Sequence, residues 1–171
     1  LPSADADIVQ SLPAADQTSG KTSDYCTPDS LYQGYASYAG TWSGSWTNNT
    51  FGSTGSMTGQ LSVEKNGTAQ LVLDVGGFVF GLIDPAAKTF TGTYNEDAMT
   101  FTGAGDDVFG DLTITFAANG SVTVSGLEVP ASSIDILTAS GAVTATNLSA
   151  NYTLTFGGLT YAEGTMSLTK N

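Results

Sequence analysis

Apolar and polar residues alternate with a period of two over much of the chain beyond residue 40. This spacing is typical of β-strands that bury one face, and no helical period of useful length follows it. Leu112, Ile114 and Phe116, for example, alternate with threonines, which the pattern places on the solvated face. The same parity predicts buried faces elsewhere, at Leu71, Leu73, Val75, Tyr152, Leu154 and Phe156.

Turn residues separate these segments at the short spacing of an antiparallel barrel or sandwich. Asn66-Gly67 and Asn119-Gly120 are strong hairpin signals, and Gly76-Gly77 indicates a bulge or sharp bend. The sequence therefore predicts an all-β, mainly antiparallel domain of about ten short strands. Barrel and sandwich both stay open, because a strand count does not determine closure. The predicted strands lie in WSGSW, SMTGQLSVE, TAQLVLDV, GGFVFGLI, KTFTGTY, AMTFTGA, DLTITFA, SVTVSGL, IDILTA, GAVTATNL, NYTLTF and EGTMSLT.

A change in composition predicts two regions. Residues 1–39 form an extended N-terminal arm followed by a short helix, and residues 40–171 form a single β-domain. The arm is rich in Asp, Ala, Ser and Pro, which is typical of a flexible tail. One apolar insert, DIVQSL, interrupts it and offers Ile8, Val9 and Leu12 as contacts for another surface.

The segment PDSLYQGYASYAG predicts the short helix, with Asp29 or Ser30 as its N-cap and Gly40 at its end. Tyrosines recur at every third residue and therefore form one aromatic face. That face is either a sugar-stacking surface or a plug under the β-domain, and we favour the plug. The three residues are Tyr32, Tyr35 and Tyr38.

The chain is acidic, with 16 Asp and Glu residues, 4 basic residues and a formal net charge of -12. This charge repels phosphate backbones and anionic lipid surfaces, so we predict no nucleic-acid partner. No segment approaches the roughly 20 apolar residues of a membrane-spanning helix, so we predict no membrane insertion. Abundant Gly, Thr and Ser, and a start at Leu1 without a targeting segment, predict a mature secreted or cell-surface chain.

Most enzymatic constellations are missing from the sequence. The chain has no His, and its single cysteine, Cys26, lacks a partner for a disulfide or a zinc site, so it is inert or pairs between chains. Carboxylates alone can hydrolyse glycosides, but most of those here fall in predicted turns, and we predict no enzyme. The candidate carboxylates are Asp74, Asp84, Asp106, Asp107, Asp111, Glu128 and Asp135.

Three carboxylates crowd the stretch GAGDDVFGD, at Asp106, Asp107 and Asp111. Oxygen ligands beside flexible glycines can hold Ca²⁺, although their order differs from that of an EF-hand. A solvated acidic loop has the same sequence, so calcium is one of two interpretations. It is the only cofactor that the sequence suggests.

Five Asn-x-Ser/Thr sequons make the chain a candidate for N-glycosylation. Two of them are already explained by their Asn-Gly turns. The sequons lie at Asn48, Asn66, Asn119, Asn147 and Asn151.

Both tryptophans of the chain lie in the stretch YAGTWSGSW. Trp42 and Trp46 share strand parity, so both indoles are predicted on one face, as a core anchor or a ligand platform. The stretch resembles the opening strand of calycin barrels, the lipocalin and avidin group, through Gly40, Thr41 and Trp42. The resemblance implies a barrel in which a Gly-x-Trp motif follows a short helix and closes one end.

Calycin barrels would also place a basic residue over this tryptophan, and avidin-type pockets carry further tryptophans on later strands. This chain has no Arg and no tryptophan after Trp46. The resemblance therefore implies a barrel opening and not biotin or lipid binding.

Three functions are compatible with these features. The favoured one is a non-catalytic extracellular structural protein, a filament or cell-surface subunit that self-associates when its arm adds a strand to a neighbour. The alternative is a secreted barrel that binds a small apolar or sugar ligand with its tryptophans and tyrosines. The third is a carboxylate-dependent, glycan-active enzyme. A roomy pocket lined by the aromatic residues would favour the second, and two facing carboxylates in a cleft the third.

Overall fold

The structure is a computed structural model that describes residues 28–131 and 133–171. Ten of its strands form one closed antiparallel barrel. The all-β prediction is therefore confirmed, and the domain is a barrel and not a sandwich. The helix and strands are α1 Pro28–Ala36, β1 Gly40–Asn48, β2 Thr54–Val63, β3 Thr68–Val75, β4 Phe78–Val79, β5 Leu82–Ile83, β6 Lys88–Tyr94, β7 Ala98–Asp106, β8 Gly110–Ala117, β9 Ser121–Leu127, β10 Ile136–Val143, β11 Asn147–Phe156 and β12 Leu159–Lys170.

Neighbours in the barrel are also neighbours in sequence, apart from the closing pair and the bypassed β4–β5 hairpin. Closure joins β1 to β12, with Trp42 opposite Lys170 and Asn48 opposite Gly164. Each barrel strand therefore has two hydrogen-bonded neighbours, and closure of this kind removes sheet edges.

Chain reversals alternate between the two ends of the barrel because its strands are antiparallel. We call the end that carries α1 the helix end and the opposite end the mouth. Turns at the helix end are tight, and both predicted Asn-Gly turns are found there, with Gly67 at φ +89° and Gly120 at φ +84°. The mouth carries the longer connections, at residues 49–53, 76–87 and 128–135.

The predicted inward residues line the barrel interior and form its hydrophobic core. Leu112, Ile114 and Phe116 are buried as predicted, and Phe116 packs edge-on against Phe101 with ring centroids 6.1 Å apart. Phe156, in contrast, is 49% exposed, so its predicted inward position is wrong. Phe156 is the last residue of β11, at the mouth, where the barrel wall ends.

Three predicted strands take other forms in the structure. The segment GGFVFGLI does not enter the barrel wall; Gly77 and Gly81 have positive φ, and the chain folds into the short β4–β5 hairpin at the mouth. IDILTA and the start of GAVTATNL form the single strand β10, which continues through Gly141. A side chain at Gly141 would overlap the backbone of β11, so this glycine serves close strand packing and not a turn.

Helix α1 closes the helix end, which confirms the plug interpretation. Tyr35 is only 3% exposed and its ring lies 5.3 Å from that of Tyr94. Just beyond the helix, Tyr38 O accepts a 2.9 Å hydrogen bond from Trp42 Nε1. Lys170 Nζ donates a 3.0 Å hydrogen bond to Ser37 O. The last strand and the first thus both hold the helix on the barrel.

Two buried tyrosines predict opposite responses to loss of their hydroxyl groups. Tyr35 Oη is buried with no hydrogen-bond partner in the described part of the chain, whereas Tyr152 Oη donates to Thr47 O at 3.1 Å. Burial raises the pKa of both phenols. An unpaired buried hydroxyl destabilises a fold, so Tyr35→Phe is expected to raise the free energy of unfolding by about 1 kcal/mol.

Tyr152→Phe is the matched control and is expected to lower the free energy of unfolding by about 1 kcal/mol, since it leaves the Thr47 carbonyl unpaired. Urea titration of the two variants against the parent chain measures both effects. Equal destabilisation by both substitutions would contradict this account of the plug.

Candidate functional site

The barrel encloses a cavity of about 540 Å³ between its inward-facing side chains. Phe51, Phe78 and Tyr161 line this cavity and are also exposed at the mouth, so the cavity reaches solvent there. A volume of this size is within the usual range for sites that take small organic ligands. The barrel interior is therefore the candidate site.

Both tryptophans line the cavity, as their shared parity predicts. Trp46 Nε1 donates a 2.9 Å hydrogen bond to Gly76 O in the connection that leads to the β4–β5 hairpin. The indole N–H of Trp42 is likewise bound, to Tyr38 O. The two rings therefore present their apolar surfaces to the cavity while their N–H groups anchor opposite ends of the barrel.

Other polar groups of the cavity wall are also bound to backbone. Tyr152 donates its hydroxyl to Thr47 O. Asn48 Oδ1 accepts the N–H groups of Thr50 and Phe51, each at 3.0 Å, and so holds the turn after β1. Because these groups are satisfied, the wall acts on a ligand mainly through apolar contact.

The cavity lies to one side of the barrel axis because the opposite side is filled. Phe90, Met99 and Phe101 are buried in β6 and β7 and do not line it. On the open side, Gly59 in β2 faces the cavity, and a Cβ built there would meet nothing closer than 3.9 Å. Gly59 thus leaves room that a larger side chain would occupy.

The β4–β5 hairpin lies over part of the mouth. Val79 is buried, and the Phe80 ring packs edge-on against Phe109 at 5.9 Å. Asp84 holds the hairpin base, since its N–H donates to Gly77 O at 2.8 Å. The non-glycine residues with positive φ in the described chain all lie in mouth connections, namely Phe80, Asp84 and Glu128. Such strained backbone concentrates at ligand sites.

Large exposed apolar side chains gather at the mouth. Phe51 and Tyr161 pack together there with ring centroids 5.5 Å apart. Exposed apolar side chains at the opening of a cavity are typical of an entrance or an interaction surface. The exposed set comprises Phe51, Phe78, Leu127, Phe156, Leu159 and Tyr161, each in a mouth connection or the adjoining strand end.

The predicted aromatic site is only partly assembled. Tyr38 joins Trp42 and Trp46 in the cavity wall, whereas Tyr35 belongs to the plug. Tyr32 is half-buried against the core and does not line the cavity; Lys65 Nζ is 5.4 Å from its ring centroid. The tyrosines therefore do not form one ligand face. The arm residues Ile8, Val9 and Leu12, and Cys26, lie outside the described residues.

The acidic loop between β7 and β8 does not assemble a calcium site. Asp106 Oδ1 accepts the N–H groups of Val108 and Phe109, and Asp111 Oδ1 accepts that of Gly105 at 2.7 Å. Across residues 28–131 and 133–171, no group of three His, Cys, Asp or Glu residues is placed to hold a metal. Turn formation explains this acidic sequence better than calcium binding does.

Lys88 neutralises part of the same loop. Its Nζ pairs with Asp107 and lies 3.5 Å from Asp106 Oδ2. The hydrogen bond to Asp107 raises the pKa of Lys88 and lowers the pKa of Asp107. Asp107 is largely exposed, so the pair adds little stability.

The structure also locates the candidate catalytic carboxylates and the sequon asparagines. In the part of the chain that the structure describes, no Asp or Glu lines the cavity, so it contains no facing carboxylate pair. Asn48 is only 8% exposed and holds a turn, so the folded barrel cannot present it for glycosylation. The other four sequon asparagines, Asn66, Asn119, Asn147 and Asn151, are exposed.

Sequence reasoning missed several residues that build the site. Gly59, Phe51 and Tyr161 form its open side and mouth, and Lys170 holds the helix end. Strand parity was a sufficient signal for Gly59, which shares the inward face of Leu61. The mouth aromatics carried no periodic signal, because they lie in turns and at strand ends.

Comparison with known proteins identifies no family. No family model matches the sequence, and no curated protein matches it. One solved structure that matches is described as "Structure of EF1p2_mFAP2b bound to DFHBI", with a TM-score of 0.41 and 11% sequence identity over 82% of this chain and 98% of that chain. Within the described residues, no helix has the length and apolar character needed to cross a membrane.

Proposed function

We propose that this protein is a non-catalytic β-barrel that binds a small apolar ligand inside the barrel. The observation that carries the proposal is the cavity of about 540 Å³ that both tryptophans line and that opens at an apolar mouth. An internal cavity of this size is unusual in a domain without a ligand, because protein interiors pack to crystal-like density.

Binding in this cavity would depend on apolar contact and shape. The indole and phenol groups of Trp42, Trp46 and Tyr152 are bound to backbone carbonyls, so these three side chains offer a sugar little hydrogen-bonding capacity. Burial of about 250 Å² of apolar ligand surface stabilises a complex by roughly 6 kcal/mol before the loss of ligand freedom is counted. This energy corresponds to a dissociation constant of roughly 40 µM, so we expect simple apolar probes to bind with dissociation constants of at least tens of micromolar.

We also propose that the barrel is of the calycin type and that the protein is secreted. Gly40, Thr41 and Trp42 open the barrel after a short helix, and Lys170 stands opposite Trp42 in the closing strand pair. Lys170 is thus a basic residue near Trp42 at the helix end, which supports the proposed resemblance. Secretion rests on the composition alone.

Assembly through the N-terminal arm stays a prediction. Strand addition needs an exposed sheet edge, and the closed barrel offers none. In the described residues, the short β4–β5 hairpin is the one sheet with free edges, and each of its strands has two residues. The closed barrel therefore favours ligand binding over strand exchange.

Titration with N-phenyl-1-naphthylamine, an uncharged fluorophore that brightens in apolar surroundings, tests the proposal. We expect saturable binding at one site per chain, with quenching of the two tryptophans as the probe fills the cavity. If the fluorophore shows no saturable binding at concentrations up to about 100 µM, which is above the expected dissociation constant, the proposed function is refuted.

A further inference from the structure

The cavity carries no group that could neutralise a negative charge. Within the described residues no lysine lines it, and the chain has no Arg or His. The wall donors Trp42 Nε1, Trp46 Nε1 and Tyr152 Oη already bind backbone oxygens. Within the described residues, an anionic head group inside the barrel would therefore lose much of its hydration without gaining a counter-charge.

The mouth carries negative charge, which further disfavours an anionic ligand. Its one lysine among the described residues, Lys88, is already paired with Asp106 and Asp107. A mouth ringed by carboxylates raises the local concentration of cations and lowers that of anions. The carboxylates in the mouth connections and adjoining strand ends are Asp74, Asp84, Asp106, Asp107, Asp111, Glu128 and Asp135, and Glu163 lies beside the connection at residues 49–53.

From these two features we infer that the barrel selects apolar ligands by head-group charge, accepting uncharged and cationic amphiphiles and rejecting anionic ones such as alkyl carboxylates. The inference rests on the proposed function and names the ligand class of the same cavity. The apolar tail occupies the barrel, and the head group lies at the mouth among the carboxylates.

Three ligands with the same ten-carbon chain test this selectivity: decan-1-ol, decyltrimethylammonium and decanoate. Each is titrated below its micelle concentration against the full chain loaded with N-phenyl-1-naphthylamine. We expect decanoate to displace the probe at least about tenfold less effectively than decan-1-ol. Added salt should weaken the ammonium ligand and leave the alcohol unchanged, because only the former is attracted by charge.

A lysine introduced at the mouth tests the same inference, and a lysine introduced on the outer wall is its control. Ser133 lines the cavity and is half-buried, whereas Ser140 points outward from β10. Ser133→Lys should strengthen decanoate binding by about fivefold or more through a local counter-charge. Ser140→Lys changes the net charge equally on the outer wall and should leave decanoate binding unchanged.

The outcomes separate the two proposals. If the fluorophore itself does not bind, the proposed function fails and the selectivity fails with it. If the fluorophore binds and decanoate displaces it as well as decan-1-ol does, ligand binding stands and the charge selectivity is overturned. Equal gains from Ser133→Lys and Ser140→Lys would also overturn it, since the effect would then belong to the net charge and not to the mouth.

Discussion

Gly59→Phe is expected to weaken binding of N-phenyl-1-naphthylamine by about tenfold or more, with little loss of stability. Gly59 lies on the cavity wall between inward-facing Met57 and Leu61. A Cβ there would touch Trp42 Cβ and Leu71 Cδ1 only at ordinary van der Waals distance, 3.9 Å and 4.0 Å. The phenyl ring would thus extend into empty space and occupy the volume that a ligand needs.

Gln60→Phe is the matched control for this substitution. Gln60 is the next residue of the same strand and is exposed on the outer face, so the same ring added there leaves the cavity intact. We expect its fluorophore affinity to equal that of the parent chain. Equal binding by Gly59→Phe and the parent would show that the probe binds elsewhere, and strong destabilisation by Gly59→Phe would contradict an open cavity.

Trp42→Ala is expected to lower the free energy of unfolding by about 3–5 kcal/mol. The indole is buried, and its N–H holds Tyr38 O at the junction between α1 and β1. The substitution removes the ring from the core and leaves that carbonyl unpaired. Since small domains have only about 5–15 kcal/mol of stability, the loss would be a large fraction of the total.

Trp42→Phe separates the two contributions, because it keeps most of the ring and loses the hydrogen bond. We expect it to lower the free energy of unfolding by about 1–2 kcal/mol in urea titration. A loss below about 1 kcal/mol for Trp42→Ala would contradict the role of Trp42 as the anchor of the helix end.

The barrel was accessible to sequence reasoning because strand periodicity and Asn-Gly turns are local signals. Leu112, Ile114 and Phe116 could be assigned inward from their own spacing. Phe156 could not, because its exposure depends on where β11 ends at the mouth, which its own spacing does not indicate. The predicted break between IDILTA and GAVTATNL was likewise wrong, since β10 continues through Gly141, whose packing against β11 is visible only once the strands are paired.

The cavity itself has no sequence signal, because it consists of volume that side chains leave unfilled. Gly44 and Gly59 show the difficulty. A side chain at Gly44 would overlap the Ser167 carbonyl of β12, whereas one at Gly59 would enter the cavity. The two glycines differ in what lies beside them, which is the backbone of the paired strand β12 at Gly44 and open cavity at Gly59. Lys170 could have been found, however, as a basic residue near the end of the last strand.

The most direct measurement of the central claim is site-resolved methyl NMR of the full chain during titration with decan-1-ol. Ligand inside the barrel should shift the methyl signals of Leu71, Val124 and Met166, which line the cavity. Those of Leu127 and Leu159, which are exposed near the mouth and do not line it, should move little. Shifts confined to Leu127 and Leu159 would place the ligand on the outer surface and contradict the account.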